Sequence, residues 1–328
     1  MVIGGKPGSF LLDAAGKYGL DTADFNIMSD LSLYYIVKIS RFIKRNNIDI
    51  VISRDRDLSV VGPAARLSGK TPVIARYGLA LRSSFRKHSF LLGKFATGVI
   101  TNTISIKDHF ENNGIVRQDF VKVIYNGVNV DDHPDTYGFS NRFKGRLVIL
   151  TVARLASQKG YHCLIDAISM LKRYNRDIVF VFVGTGKLHA RLLEYSLKKE
   201  VSGMIHFEGF VRNAIPYLRG CDIFVLPSLY EGMPNAAMEA MACGKPVVMT
   251  DVDGARELVP DDKKGILIPP KDPPAIADAI EKLVQDKKMR ETMGGEAAKF
   301  VRQNFSYTRM IDELEEYLKG KLDMNLRK

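Results

Sequence analysis

The sequence predicts an α/β protein made of two units, each built around a parallel β-sheet. Short apolar runs alternate with segments of helical periodicity, a pattern typical of parallel strands covered on both faces. The alternation falls into two series, separated by the turn pair Asn126 and Gly127 and by the polar stretch 131–138. The length of 328 residues suits two domains of ordinary size.

The first series predicts a sheet with helical crossovers before residue 140. Its apolar runs are rich in β-branched residues, and turn residues bound them. The predicted elements are, in order, a strand at 48–52, a helix at 58–68, a strand at 72–75, a helix at 85–96, a strand at 98–101, a helix at 104–112 and a strand at 121–124.

The second series is longer and begins with a strong buried strand at 147–152. Further strands are predicted at 178–183, 204–207, 223–226, 247–249 and 266–268, and helices at 164–174, 188–198 and 275–285. The predicted domains are therefore 1–140 and 141–305. The segment 306–328 contains a last amphipathic helix, which we expect to pack across the two domains.

Composition and charge narrow the class of protein. The net charge of +11 is spread along the chain, with +5 in residues 1–140 and +6 in 141–328. No nucleic-acid-binding motif accompanies the basic residues, so we predict no nucleic-acid partner. No signal-peptide pattern and no apolar stretch long enough to span a membrane is present, and we expect a cytoplasmic protein. The three cysteines are widely spaced, which favours buried thiols over disulfides or metal ligands.

Two glutamates at a strand-to-helix junction are the most informative feature. Glu231 follows the apolar run 223–226, and Glu239 lies in the helix-forming run 236–242. Gly232 between them allows close approach of backbone to a ligand. The free N–H groups at the start of the helix offer a site for an anion. Carboxylates for hydroxyl groups beside bare amides for phosphates predict a sugar-nucleotide site.

Basic residues and glycines follow neighbouring strands. Arg154 and Lys159 come after the strand at 147–152, where open α/β sheets bind ligands, and both suit a diphosphate; a solvated basic loop is the alternative. Gly184 and Gly186 follow the strand at 178–183, and they predict either a phosphate cradle or a tight turn. The segment 209–212, which includes Val211, follows the strand at 204–207. Its backbone could contact a nucleobase, and an ordinary loop is the alternative.

No metal is expected. Two pairs with the pattern Asp-x-Asp, Asp55 with Asp57 and Asp251 with Asp253, could hold a divalent cation on a diphosphate. Aspartate is also common where turns and helices begin, and we favour that role. The six histidines show no metal-ligand spacing.

The segment 82–95 combines basic residues with aromatic and aliphatic ones. As a helix it would be basic and amphipathic, which suits the surface of a membrane. The same apolar stripe could instead face the core. The sequence thus leaves peripheral contact with the inner face of the cell membrane as one of two interpretations.

Taken together, the motifs of residues 147–268 resemble the retaining glycosyltransferases of family GT4. The matching pieces follow the order and spacing of that family, and they are 152–155 with 159–160, 184–186, 209–211, 227–247 and 254–259. Upstream, 126–129 resembles the end of the family's first domain. The resemblance implies the GT-B fold, in which two Rossmann-like, doubly wound domains face a cleft.

The resemblance also implies roles for individual residues. Arg154 and Lys159 would hold the donor diphosphate, and Glu231 would contact hydroxyl groups of the transferred sugar. Glu239 would hold the ribose. Amides of the segment 232–235 would bind phosphate, which involves Gly232, Met233, Pro234 and Asn235. Members of the family need no metal for this chemistry.

Two departures from the family pattern affect the expected function. The chain begins with what resembles the region near the family's second strand, so we expect an incomplete N-terminal domain. Many members carry a histidine just after the strand that corresponds to 72–75, where this chain has Arg76, Tyr77 and Gly78. We therefore expect a retaining transferase that moves sugar from a UDP- or GDP-sugar to a glycan or lipid-linked acceptor of the cell envelope. The alternative is a nucleotide-sugar-binding protein without transferase activity.

Overall fold

A computed structural model describes residues 1–27, 32–69, 71–81, 84–131, 135–143, 145–174 and 177–326. The described chain divides into two compact units. The first comprises Met1–Thr101, Lys107–Ile124 and Glu313–Lys328, and the second comprises Asn102–Ile106 and Tyr125–Asp312. The sequence predicts a boundary near residue 140, whereas residues 125–140 lie in the second unit. Packing accounts for this, because the Tyr125 ring lies against Phe305 and the Val128 amide donates to the Phe305 carbonyl.

The first unit contains a two-stranded and a four-stranded parallel sheet, ordered β1-β2 and β3-β4-β5-β6. The predicted alternation of strands and helices holds through this unit. Its elements are β1 Val2–Gly5, α1 Phe10–Lys17, β2 Asp21–Asp24, α2 Leu33–Arg45, β3 Val51–Arg54, α3 Leu58–Gly69, β4 Val73–Tyr77, α4 Phe85–Phe95, β5 Gly98–Thr101, α5 Ile104–Asn112 and β6 Val121–Val123. The first turn of α5 is counted with the second unit.

The second unit contains a six-stranded parallel sheet with the order β12-β11-β10-β7-β8-β9. Its elements are α6 Phe139–Arg142, β7 Leu147–Val152, α7 Tyr161–Leu171, β8 Ile178–Val183, α8 His189–Lys198, β9 Ile205–Gly209, α9 Ile215–Gly220, β10 Ile223–Leu226, α10 Asn235–Ala242, β11 Val247–Thr250, α11 Ala255–Leu258, β12 Ile266–Ile268, α12 Pro273–Gln285, α13 Lys287–Asn304 and α14 Tyr307–Leu326. The end of α14 is counted with the first unit.

The core of the second unit lies on both faces of this sheet. Alternate residues of β7 point to opposite faces, so that Val148 and Leu150 join one apolar cluster and Ile149 joins the other. Residues of α9, α10 and α13 cover the first face, and residues of α7 and α12 cover the second. Burial on both faces explains why the strands read as continuous apolar runs.

The chain reverses its direction across the sheet between β7 and β10. From β7 it proceeds outward through β8 to β9, and from β10 it proceeds the other way through β11 to β12. The two central strands are nevertheless direct neighbours, with Ile223 opposite Ile149 and Phe224 opposite Leu150. In open α/β sheets ligands bind beyond the carboxyl ends of the strands at such a point.

Candidate functional site

The loops that follow β7 and β10 carry the charged residues of the candidate site. Lys159 lies in the loop after β7, and Glu231 lies in the loop after β10. The ammonium group of Lys159 forms an ion pair with Oε1 of Glu231, and the Ser228 hydroxyl donates to the same oxygen at 2.7 Å. The two charged side chains are only 15% and 9% exposed. Topology thus brings together two residues that lie 72 positions apart in the sequence.

Polar contacts from neighbouring strands hold the Glu231 loop in place. The Glu231 amide donates to Oδ2 of Asp253 at 3.0 Å, and the Thr250 hydroxyl donates to the Ser228 carbonyl at 2.5 Å. Gln158 adds a contact from the other side, since its side-chain amide donates to the Tyr230 carbonyl at 2.9 Å. The carboxylate of Glu231 therefore projects from a loop that is fixed at several points.

Arg154 contributes the second cation of the site. It lies two residues after the end of β7, and its side chain is exposed. Within the described parts of the chain, its guanidinium group makes no ion pair or hydrogen bond. A planar, permanently charged fork with unused donors is suited to a diphosphate.

The two glycines after β8 pack against the backbone of the loop after β7. A methyl group at Gly184 would collide with the Ala153 carbonyl, and one at Gly186 would collide with the Leu155 carbonyl. Gly184 also has a φ of +138°, which disfavours other residues. Close packing against these two carbonyl groups is therefore one reason for a glycine at each position.

The start of α10 presents backbone donors beside Glu231. The helix has no side-chain cap, and Pro234 occupies its N-cap position. Pro234 has no N–H, so the donors of this segment come from its neighbours. The Met233 side chain is 5% exposed and belongs to the core. The side chain of exposed Asn235 accepts a hydrogen bond from that of Asn126 at 2.8 Å.

Glu239 is a half-buried carboxyl group, and no described residue supplies it with a countercharge. It lies on α10, and burial raises the pKa of its carboxyl group above the usual range. No ion pair or hydrogen bond joins its carboxylate to any described residue. A carboxylate placed in this way can accept hydrogen bonds from ligand hydroxyl groups.

Val211 lies outside the group of charged residues. It follows β9, is half-buried, and packs against the apolar cluster on the α10 side of the sheet. Its neighbour Phe210 is 73% exposed. The sequence patterns assign no role to Phe210, Ser228 or Thr250, and they predict only a turn or capping role for Asp253. Ser228 is the one whose position gives a hint in the sequence, since a hydroxyl group three residues before Glu231 can reach the carboxylate within the same loop.

The aspartate pairs engage protein groups. Arg54 binds Asp57 at 2.8 Å, and Arg256 forms an ion pair with Asp251. Asp253 accepts the Glu231 amide, as described above. Among the residues that the structure describes, no group of three His, Cys, Asp or Glu side chains is placed to hold a metal ion.

The segment 82–95 is described from residue 84 onward, since Arg82 and Ser83 lie outside the described residues. Leu91 and Leu92 of α4 are buried, whereas Phe90 is 61% exposed and has the Lys94 ammonium 5.2 Å from its ring centre. The helix thus has one apolar face in the core and retains an exposed aromatic side chain. None of the described helices is long and apolar enough to cross a membrane.

Comparison with known proteins places this chain in a family. Residues 135–300 match the family model "Glycosyl transferases group 1", and residues 25–132 match "Glycosyltransferase Family 4". An uncharacterised glycosyltransferase of Methanocaldococcus jannaschii, MJ1607, is 31% identical over 69% of this chain. The matched region spans 60% of the length of that relative. For the alpha-D-kanosaminyltransferase of Streptomyces kanamyceticus, which is 32% identical over 55% of this chain, it spans 46%.

Two further comparisons extend over most of the chain. The UDP-Gal:alpha-D-GlcNAc-diphosphoundecaprenol alpha-1,3-galactosyltransferase of Escherichia coli is 27% identical over 94% of this chain and 84% of its own length. The crystal structure of Anabaena Alr3699/HepE in complex with UDP-glucose has a TM-score of 0.86 at 22% identity, and the match covers 97% of this chain and 91% of the other. The predicted α/β fold of the GT-B class is confirmed.

Proposed function

Because this chain belongs to the family of group 1 glycosyl transferases, we propose that it transfers a sugar from a nucleotide diphosphate-sugar to a hydroxyl group. The ion pair between Lys159 and Glu231 at the point where the sheet reverses is the observation that carries the proposal. It supports the proposal because a lysine ammonium group suits a diphosphate and a neighbouring carboxylate suits the hydroxyl groups of a sugar. The unpaired guanidinium of Arg154 supplies a second positive charge on the same loop.

The donor is a UDP-sugar in this proposal, with a GDP-sugar as the alternative. The HepE structures contain UDP or UDP-glucose, and the name of the Escherichia coli relative specifies UDP-Gal. Glu239 holds the ribose hydroxyl groups, and the backbone near Val211 meets the base. The turn at Gly184 and Gly186 keeps the neighbouring loop close to the diphosphate.

The transfer breaks the bond between the anomeric carbon and the diphosphate oxygen, and it forms a bond to the acceptor oxygen on the same face of the sugar. The acceptor proton leaves with the departing phosphate. Negative charge develops on that phosphate, where Arg154, Lys159 and the amides of Gly232 and Met233 stabilise it. Glu231 orients the sugar through its hydroxyl groups. Two side-chain cations and backbone donors supply this stabilisation without a metal ion.

The acceptor is a glycan or a lipid-linked glycan of the cell envelope. Support comes from the names of relatives, among them the Staphylococcus aureus capsular polysaccharide biosynthesis glycosyltransferase CapM and the Escherichia coli diphosphoundecaprenol galactosyltransferase. The protein acts in the cytoplasm, with peripheral contact to the inner face of the membrane through the segment 82–95. The exposed Phe90 ring beside Lys94 supports that contact.

Calorimetric titration with UDP, GDP and ADP, with and without a divalent metal, tests the donor site. We expect one nucleotide to bind without metal and Arg154→Ala to weaken it by about 1.5–3 kcal/mol. Lys282→Ala is the control, because Lys282 is exposed on α12 and has no partner among the described residues. Equal affinity of wild type and Arg154→Ala would refute the donor site. Donor binding without transfer to any glycan acceptor would favour the nucleotide-sugar-binding alternative.

A further inference from the structure

Three neighbouring helices of the first unit carry a one-sided charge. Helices α2, α3 and α4 contain no aspartate or glutamate, and every one of their basic side chains is exposed. These eight residues are Lys38, Arg41, Lys44, Arg45, Arg66, Arg86, Lys87 and Lys94. Such a concentration of one sign has no counterion within the helices that bear it.

The three helices form one layer of the unit. Strands β3, β4 and β5 are adjacent, parallel and consecutive in the chain. Their crossovers α3 and α4 therefore lie on the same face of the sheet, because parallel crossovers are right-handed. Helix α2 packs against α3. The Arg66 guanidinium donates to the Lys94 carbonyl at 3.3 Å and joins α3 to α4.

Large apolar side chains are exposed on the same helices. Leu33, Tyr34 and Val37 of α2 are 78%, 67% and 44% exposed. Leu67 of α3 and Phe90 of α4 are 68% and 61% exposed. Helix α2 meets the core through the opposite side, where Ile36, Ile39 and Ile43 are buried.

The arrangement on α2 is unfavourable for an isolated helix surface. Lys38, Arg41 and Arg45 are three and four positions apart, so like charges face one another and destabilise the helix. Together with the rings of Phe25 and Phe42, they line a groove to which none of the described residues contributes a carboxylate. A ligand with phosphate groups would neutralise these charges.

We propose that the exposed surface of α2, α3 and α4 binds the headgroups of an anionic lipid bilayer. The basic side chains contact lipid phosphates, and Leu33, Tyr34, Val37, Leu67 and Phe90 enter the boundary between headgroups and acyl chains. Free phosphate would satisfy the charges but leave the apolar side chains in water. The inference deepens the proposed function, since a lipid-linked acceptor is presented at such a surface.

Co-sedimentation of the full chain with vesicles tests the proposal without donor or acceptor, so that its outcome is independent of transfer. We expect binding to phosphatidylcholine vesicles that contain phosphatidylglycerol, no binding to pure phosphatidylcholine, and loss of binding at high salt. Each basic residue at an anionic surface contributes about fivefold to partitioning. The double variant Arg41→Gln, Arg45→Gln should therefore bind roughly 30-fold more weakly.

Matched variants separate this surface from general basicity. Lys282→Gln with Lys288→Gln removes the same charge from exposed positions of α12 and α13 and should leave vesicle binding unchanged. Phe90→Ser with Lys94→Gln tests the α4 part of the surface independently. Equal binding to neutral and anionic vesicles, or equal losses in the α2 and control variants, would overturn the proposal. So would release from the vesicles by inorganic phosphate at matched ionic strength, or preferential binding of a DNA duplex.

Discussion

The ion pair at the candidate site makes a prediction about stability that requires no substrate. Replacing Lys159 by Ala would leave the Glu231 carboxylate 9% exposed, with the Ser228 hydroxyl as its one remaining side-chain donor among the described residues. Breaking a fully buried ion pair costs about 3–5 kcal/mol of unfolding free energy. Because the Ser228 hydrogen bond persists, we expect the lower end of that range, about 3 kcal/mol.

The partner substitution is expected to be milder. In Glu231→Gln the side-chain oxygen can still accept from Ser228, and the long Lys159 side chain can turn its ammonium group toward water. We expect a loss of about 1–2 kcal/mol. The double variant should lose less than the sum of the single variants, with a coupling energy of about 1 kcal/mol or more.

Denaturant unfolding of the four proteins measures this coupling. The chain has no tryptophan, so far-ultraviolet circular dichroism is the appropriate signal. Two compact units can unfold separately, and the transition that shifts in Lys159→Ala should be assigned to the second unit and compared across the set. Lys282→Ala provides the control for removal of an exposed lysine. Additive losses within about 0.5 kcal/mol would refute the reasoning, because independent residues behave in that way.

Three further predictions concern residues around the same loops. Gly160→Ala should lose about 3 kcal/mol or more of unfolding free energy, because its methyl group would collide with the Pro227 carbonyl. Gly209→Ala, also at positive φ but with open space around it, should lose about 1 kcal/mol. Equal losses of the two variants in denaturant unfolding would contradict the packing argument. Asp253→Ala should lower stability by about 1 kcal/mol. Asp253→Asn should lower it by less, because the side-chain oxygen of the asparagine still accepts from the Glu231 N–H. Identical unfolding midpoints for Asp253→Ala and wild type would show that this hydrogen bond does not contribute to stability. The pKa of Glu239 is raised, so the folded state retains a proton at a pH at which the unfolded state has released it. Stability should therefore decline as pH rises from the usual carboxyl pKa through the raised one. Glu239→Gln should remove that decline, and unchanged pH dependence of stability in the variant would assign the decline to another group.

The second sheet could be predicted from the sequence almost strand by strand, and the reason is physical. Its central strands are buried on both faces, so their apolar runs are continuous and end where the strands end. In the first unit, the bounds of the edge strand β3 are harder to predict from the sequence. The predicted strand at 48–52 is observed at Val51–Arg54, because the Ile48 amide still closes α2 on the Ile43 carbonyl and the ladder to β4 begins at Val51.

Within the candidate site, the sequence points to the charged residues but not to the residues that contact them. Arg154, Lys159 and Glu231 stand out because each follows an apolar strand. The sequence does not predict the contacts of Thr250 and Asp253, since these residues reach the Glu231 loop from the end of β11 and from the loop after it, 22 residues further along the chain. For Gly184 and Gly186 the sequence leaves a phosphate cradle and a tight turn open, and the carbonyl groups packed against both positions are visible only in the structure.

The ion pair also constrains how a donor can be bound in the proposed function. Lys159 cannot hold the diphosphate and retain its full interaction with Glu231, so donor binding must give Glu231 new partners. The hydroxyl groups of the transferred sugar are such partners, whereas the nucleotide diphosphate alone has only ribose hydroxyl groups, which the proposal assigns to Glu239. Leaving a carboxylate buried without compensation is unfavourable. In this proposal the loop therefore favours binding of the complete donor over binding of the nucleotide product. Glu231→Gln should lower the affinity for the donor more than the affinity for the nucleotide alone, so that the difference between the two affinities becomes smaller.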